Sequence, residues 1–426
     1  MVTTYFRQAW QLLRQNRLFS AIYIAGTALA IATTTIFAVI YYVKIEPVYP
    51  EYNRHRTAYV TQGQVFTADG MSGWGGLLGL DLLDRIRRLP GVTTLTAVRD
   101  RSWYSDFVGL PGKKNDVRAF VKGVDPQFFE VYEFDVLEGM ALSAADFDSG
   151  AHSAIITDGL ATQLFGTARG IVGRDFQLNY GDYRVAGVVR AGSSLARQSF
   201  ATLYIPYTSI DGYDSQSVPN VGSYFGVLLT DSLDEVRRAT AEMVRRYNSS
   251  QDDYKLELWT QPQSHLVRSL NPSPSRESDV SDIIRSKGLI LLILLLVPAL
   301  NLSGMISGRM ETRGSELGVR RSFGARRRHL IGQVVWENLA LTLIGGCMGL
   351  LLTWLLLWLS GGMLLTLVDD PFNSPVADVA LTSDMFFAPA IFGIVLVLTV
   401  FLNLLSAAVP AWISSRRQIV KSLKEK

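Results

Sequence analysis

Residues 309–329 read RMETRGSELGVRRSFGARRRH, seven arginines and two glutamates in one short run. Guanidinium groups packed this densely suit two jobs. They bind acidic or anionic surfaces, and they hold a loop on one side of a membrane. Within the run, Glu316, Arg320 and Arg321 stand among Leu317, Val319 and Phe323, with Gly318, Gly324 and Ala325 beside them. Such a pattern fits a short amphipathic helix lying on a membrane surface. It also fits a helix docked into another protein.

Other chemistry is hard to find. No G-x-x-x-x-G-K-[ST] phosphate loop occurs, and GLPGKKN (109–115) has neither its spacing nor its hydroxyl. No H-E-x-x-H or G-x-S-x-G is present, and His55, His152, His265 and His329 are scattered. The expectation is therefore no catalytic residue, no metal and no cofactor held by this chain. Cys347 is the single cysteine and falls in an apolar stretch, so no disulfide is expected. A net charge of +3 is too slight to argue for nucleic acid.

The arginine run lies between apolar segments, and these set the architecture. Residues 18–43, 288–308, 338–368 and 385–415 carry no Asp, Glu, Lys or Arg. Each meets the roughly 18–20 residues needed to cross a hydrocarbon core. The spacing predicts an α-helical membrane protein with four transmembrane helices, at 18–43, 288–308, 330–360 and 386–412. A large α+β extracytoplasmic domain, 44–287, lies between helices 1 and 2. Within it, strand–helix–strand patterns at 57–62, 77–89 and 92–99 recur at 224–230, 232–248 and 254–260. They suggest one α/β subdomain split into about 50–120 and 216–270. A strand-rich insertion fills about 121–215, and a stem covers 271–287. Ser232 and Glu235 have capping-box spacing.

Basic residues assign orientation. Arg7, Arg14 and Arg17 precede the first span, the arginine run follows the second, and Arg416, Arg417, Lys421, Lys424 and Lys426 follow the fourth. The 361–385 loop has four aspartates and no Lys or Arg. The N-terminal segment 1–17, the loop 309–329 and the tail 413–426 are accordingly expected in the cytoplasm. Inside the spans, Gly304 and Gly308, like Gly345 and Gly349, have the spacing that lets helices pack closely. Asn301, Ser303, Asn403 and Ser406 suit hydrogen bonds between helices, and Glu337 is expected to stay hydrated at the boundary of the third span.

ELGVRRSFGARRRHLIGQ, followed by Glu337 and GGCMGLL, resembles the signature of the FtsX/MacB-type ABC-transporter permeases, E-I-G-x-R-[RK]-x-x-G-A and then E-x-x-x-x-x-x-x-G-G-x-x-G. The opening FRQAWQLLRQNRLFSAIYIAGTALAIA and the tail PAWISSRRQIVKSL are similar to the family's ends, though the tail lacks a second proline. VKGVDPQFFEVYEFDVLEGMALSAADFDSGAHSAIITDGLATQLFG resembles the periplasmic core domain of MacB-like members, with Gly139-Met140 where Gly-Arg is common. The resemblance implies a bacterial inner-membrane permease working with a cytoplasmic ABC ATPase, which would bind ATP and magnesium. It also implies a second permease copy or a paralogue, giving a dimer in membrane lipid. A periplasmic adaptor and an outer-membrane channel are further partners within the family's range. Glu316, Leu317, Gly318, Arg320, Arg321, Gly324 and Ala325 would then form the coupling helix. Outer-domain motion driven by ATP, for export or extraction of substrate, is one implied role. The other is FtsX-like regulation of an extracytoplasmic partner such as a cell-wall hydrolase.

The orientation is testable. A cysteine at Ser374 should react with a membrane-impermeant maleimide in intact, outer-permeabilised cells, and one at Ser315 should not. The reverse labelling pattern would overturn it.

Overall fold

The computed structural model describes residues 17–270 apart from 69, 71, 102–105, 113–115 and 217, individual helical positions between 281 and 296, and then 327–360, 364 and 389–416. The first element, α1 (Arg17–Ile45), is apolar nearly throughout. After it the chain builds a mixed unit from Tyr42 to Ile283, and the helical segments form a separate unit.

In the mixed unit, β1 (Thr57–Val60), α2 (Leu80–Arg87) and β4 (Thr94–Asp100) arise from the first strand–helix–strand pattern. β14 (Phe225–Leu229), α6 (Leu233–Ser250) and β15 (Tyr254–Glu257) arise from the second. Between them lie β5 (Asp106–Gly109), β6 (Val117–Ala119), β7 (Val121–Val124), β8 (Val136–Gly139), β9 (Ser153–Thr157), β10 (Asp175–Leu178), β11 (Gly181–Val189) and β12 (Leu203–Pro206). The short helices α3 (Phe128–Val131), α4 (Ala144–Asp148) and α5 (Asp158–Phe165) are interspersed, and β16 (Gln263–Ser264) runs into α7 (His265–Leu270).

The strands do not divide where the sequence pattern suggested. A single sheet runs β16-β1-β14-β4-β7-β12-β9-β11-β10-β5-β6, with β8 on the side of β11. The join is β4. Its first five residues pair with β14, and Arg99 and Asp100 pair with Gly123 and Lys122 of β7. One twisted strand thus serves both halves, which period-2 patterning cannot reveal. A smaller sheet, β13-β3-β2-β15, uses β2 (Gly63–Thr67), β3 (Gly73–Leu78) and β13 (Val221–Gly222).

Strands β1, β14, β9 and β12 are buried along their whole length, as expected of strands covered on both faces. α2 sits so close to β14 that a Cβ on Gly226 would fall 2.7 Å from Leu83 Cδ2. The expected capping box of α6 does not form. Ser232 makes no side-chain cap bond, and its N–H donates instead to Thr230 Oγ1 at 3.0 Å. Thr230, two residues upstream, occupies the donor that Glu235 would have needed.

Asp125, directly after β7, fastens the end of that strand to α2 and β4. It accepts from Arg87 Nη2 of α2 at 3.0 Å, Thr96 Oγ1 of β4 at 2.5 Å and the Ala97 N–H at 3.1 Å. Thr96 is fully buried. Asp125→Ala should therefore strand buried donors and lower unfolding stability by about 3 kcal/mol. Thermal or urea unfolding of the full chain checks this, and a loss below about 0.5 kcal/mol would refute the role.

Candidate functional site

A buried polar cluster lies just past the end of α1. The last carbonyls of a helix have no partner in the next turn. Here Arg54 supplies one, its Nη1 donating to Val43 O at 2.6 Å and to Glu46 O at 2.5 Å. Its Nε donates to Glu51 Oε2 at 2.8 Å. The other carboxylate oxygen of Glu51 accepts from the Ser199 N–H at 2.9 Å and the Ser199 hydroxyl at 2.8 Å. Glu51 is 2% exposed and Arg54 4%, so neither charge has water as an alternative partner. Burial pushes the Glu51 carboxyl up, but Arg54 and the Ser199 hydrogen bond outweigh it and hold the group below its ordinary range.

His265, at the start of α7, joins the same cluster. Its Nε2 lies 2.9 Å from Lys44 O and its Nδ1 lies 2.9 Å from the Tyr59 hydroxyl. A carbonyl only accepts, so Nε2 carries the proton and Nδ1 accepts from Tyr59. The ring is neutral, and burial lowers its pKa to about 4. The arrangement therefore ties the end of α1 to β1 and α7 through His265, and to the 193–200 loop through Glu51.

That loop is itself anchored. Lys122 of β7, 1% exposed, donates to Arg197 O at 3.0 Å and Gln198 O at 2.7 Å. The Tyr204 hydroxyl of β12 donates to Ser199 O at 3.0 Å. A second strut runs from Tyr49, whose hydroxyl donates to Arg190 O at 2.9 Å and accepts from the Asp135 N–H at 3.1 Å. The Arg190 guanidinium stacks 3.9 Å above the Tyr49 ring. The Glu51 and Arg54 charges are thus matched to each other and to groups of the fold.

The residues expected to couple to an ATPase, Glu316 to Ala325, lie outside the described residues, as do Gly304, Gly308, Asn301 and Ser303. Gly345 and Gly349 lie on α8 (Arg327–Leu359). A Cβ on Gly345 would sit 2.8 Å from Thr27 Cβ, and one on Gly349 would sit 2.7 Å from Ala28 O. On α9 (Pro389–Arg416), Asn403 Nδ2 donates to Thr342 Oγ1 at 3.4 Å, and that oxygen is 3.2 Å from the Tyr23 hydroxyl. Glu337 is 4% exposed. The expectation that it stays hydrated is corrected, because α8 begins ten residues earlier and carries it into the helix packing.

Sequence reading passed over Glu51, Arg54 and Ser199. A signal was there: a Glu and an Arg three residues apart, directly after an apolar span, where helix ends recruit basic caps. Length and composition make Ser20–Ile45 and Val335–Leu359 capable of crossing a membrane, and Ile391–Leu405 is a shorter apolar helix.

Comparison with known proteins gives a consistent result. The MacB-like periplasmic core domain matches residues 20–244, and the FtsX-like permease C-terminal region matches 288–422. The chain is 24% identical over 309 residues to the pyoverdine export ATP-binding/permease protein PvdT of Pseudomonas entomophila, covering 71% of this chain and 44% of that protein. It is 26% identical over 239 residues to the macrolide export ATP-binding/permease protein MacB of Agrobacterium fabrum, covering 55% and 35%. With the uncharacterized ABC transporter permease YknZ of Bacillus subtilis it shares 23% over 242 residues, covering 56% and 57%. The chain thus spans roughly a third to just over half of the length of these relatives. Two family matches, in the order periplasmic core and then permease region, place the chain in the family of ABC-transporter permeases that carry a MacB-like core domain and an FtsX-like C-terminal region.

Proposed function

We propose that this chain is the permease subunit of an ABC transporter whose ATPase is a separate polypeptide, and that it converts nucleotide-driven movement into motion of its extracytoplasmic domain. Four transmembrane helices and two cytoplasmic termini complete the reading. The observation that carries it is the Glu51–Arg54–Ser199 cluster. A helix end that only needed a cap would be served by water. Here it is fastened to a strand and a helix of the outer domain through the neutral His265, and to a loop through the buried Glu51–Arg54 pair. Pulling the loop away strips the buried Glu51 carboxylate of its two Ser199 donors, and pulling α7 away strips the Lys44 carbonyl of its His265 donor, so movement of the helix end is passed on rather than absorbed.

In this reading Glu316, Leu317, Gly318, Arg320, Arg321, Gly324 and Ala325 seat the loop on the ATPase. The second copy or paralogue doubles the arrangement, and Gly304/Gly308 and Gly345/Gly349 hold the helices together. Export or extraction is preferred over regulation because the MacB-like core match covers residues 20–244 and the relatives named above are named for export of pyoverdine and of macrolides. An adaptor and an outer-membrane channel are compatible additions.

Three variants separate docking from transmission. Glu316→Arg should reach the membrane at normal levels yet lose ATPase in a pull-down, because breaking a desolvated charge contact costs about 2–5 kcal/mol. Gly324→Leu should do likewise. Glu51→Gln should keep the ATPase but lose the nucleotide-dependent change in distance between spin labels at Tyr180, which is 93% exposed, in the two copies. Undiminished ATPase recovery with the first two variants removes the coupling assignment. A full distance change in Glu51→Gln removes the transmission assignment.

The cluster also has a pH signature. His265 has a folded pKa near 4 against an ordinary 6.5, so below pH 6.5 the unfolded chain takes up the proton first. Its contribution to stability is complete above pH 6.5 and is lost as pH falls toward 4. Thermal unfolding of the full chain should therefore drop more steeply between pH 6.5 and 4 than that of His265→Gln. Parallel curves would refute the assignment of this step to His265.

A further inference from the structure

Among the described residues, the small sheet leaves a stretch of its β3 edge open. The β2–β3 hairpin closes with the Thr67 N–H donating to Ser72 O at 2.9 Å. In an antiparallel pair, hydrogen-bonded and non-hydrogen-bonded positions alternate. With Phe66 opposite Gly73, Val65 opposite Trp74 and Gln64 opposite Gly75, Trp74 bonds to β2. Gly73 and Gly75 direct their N–H and C=O groups the other way. Farther along that side, the Gly79 N–H donates to Asn220 O at 2.9 Å and Leu77 pairs with Gly222. The chain then bends at Ser223 and leaves for β14. Among the described residues, nothing meets the outward N–H and C=O groups of Gly73 and Gly75, and 73–75 are exposed.

Natural edges are usually blunted by charge, proline or a bulge. This one has none: it reads GWGG. Both faces of the edge are aromatic instead. Trp74, 40% exposed, stands edge-on to Tyr254 at 6.3 Å between centroids. On the opposite face the Phe66 ring leans over Gly73, where a Cβ would fall 2.9 Å from its Cδ1. Glycine at 73 is what lets that ring reach the edge.

We propose that β3 binds an extended segment of a partner polypeptide as an added strand, in line with β13 and paired to Gly73 and Gly75. The residue opposite Trp74 would be apolar and pack on the indole, with uncharged residues on either side. Main-chain hydrogen bonds would hold the segment and the aromatic faces would select it. A second copy of this chain is the poorer occupant. Two outward-facing residues are far short of the roughly 1,200 Å² that a stable interface buries, so the edge suits a short, exchanging strand. The proposal does not depend on the ATPase or on the transmission reading.

The test uses the full chain in lipid nanodiscs and a fluorescent, end-blocked hexapeptide of alternating threonine and valine, read by anisotropy. Saturable binding is expected. Gly75→Pro, which removes an outward N–H, should weaken it about tenfold, and so should N-methylation of the peptide at alternate residues. Gly75→Ala keeps the N–H, and its Cβ would meet only atoms at 3.9 Å, so it should stay within about twofold of the parent. Absence of binding, or equal binding by Gly75→Pro or by the N-methylated peptide, overturns the proposal. Conversion of a dimer to a monomer by Gly75→Pro, without peptide binding, overturns it in favour of self-pairing.

Discussion

A helix that emerges from an apolar setting ends in carbonyl groups that must find donors, and the architecture around α1 depends on how that is met. Arg54 meets it with one guanidinium. Once buried, that guanidinium requires a counter-charge, and Glu51 supplies it. Glu51 in turn requires donors for its second oxygen, and the backbone N–H and hydroxyl of Ser199 supply them. Each requirement calls up the next, so a local end-capping problem fixes the position of a loop nearly 150 residues away.

The same logic explains why the cluster has no spare capacity. His265 is oriented from both nitrogens, by Lys44 O and by Tyr59, and Lys122 holds the far side of the loop. A matched, buried network of this kind adds little net stability over apolar packing, but it makes partial separation costly. It specifies one geometry.

Much of the architecture was legible from pattern alone. The apolar run of α1, the strand–helix–strand segments around 57–99 and 224–260, and the strand-rich character of 121–215 all follow from period and punctuation. What could not be read was long-range pairing. That β4 bridges both halves depends on the twist of one strand and the register of Arg99 against Gly123, and neither has a local signature. The cluster itself combines residues from 43 to 265, and His265 looked isolated because its partners are a carbonyl and a tyrosine rather than other metal-binding groups. The Ser232 box failed for the opposite reason: a local motif was outcompeted by an even more local one, Thr230.

The strand order has a consequence for how such a domain comes into being. β1 is covered on its two sides by β14 and β16, which begin at Phe225 and Gln263. A chain delivered from its N-terminus presents β1, buried along its whole length in the finished fold, long before either neighbour exists. Until they arrive, that segment is an apolar strand with two open edges, the condition under which nascent chains aggregate. Residues 94–206 can meanwhile pair among themselves through β4 to β12. Closure of the sheet on the α1 side is therefore a late event, so the fastening of α1 to its domain is completed only when His265 has emerged.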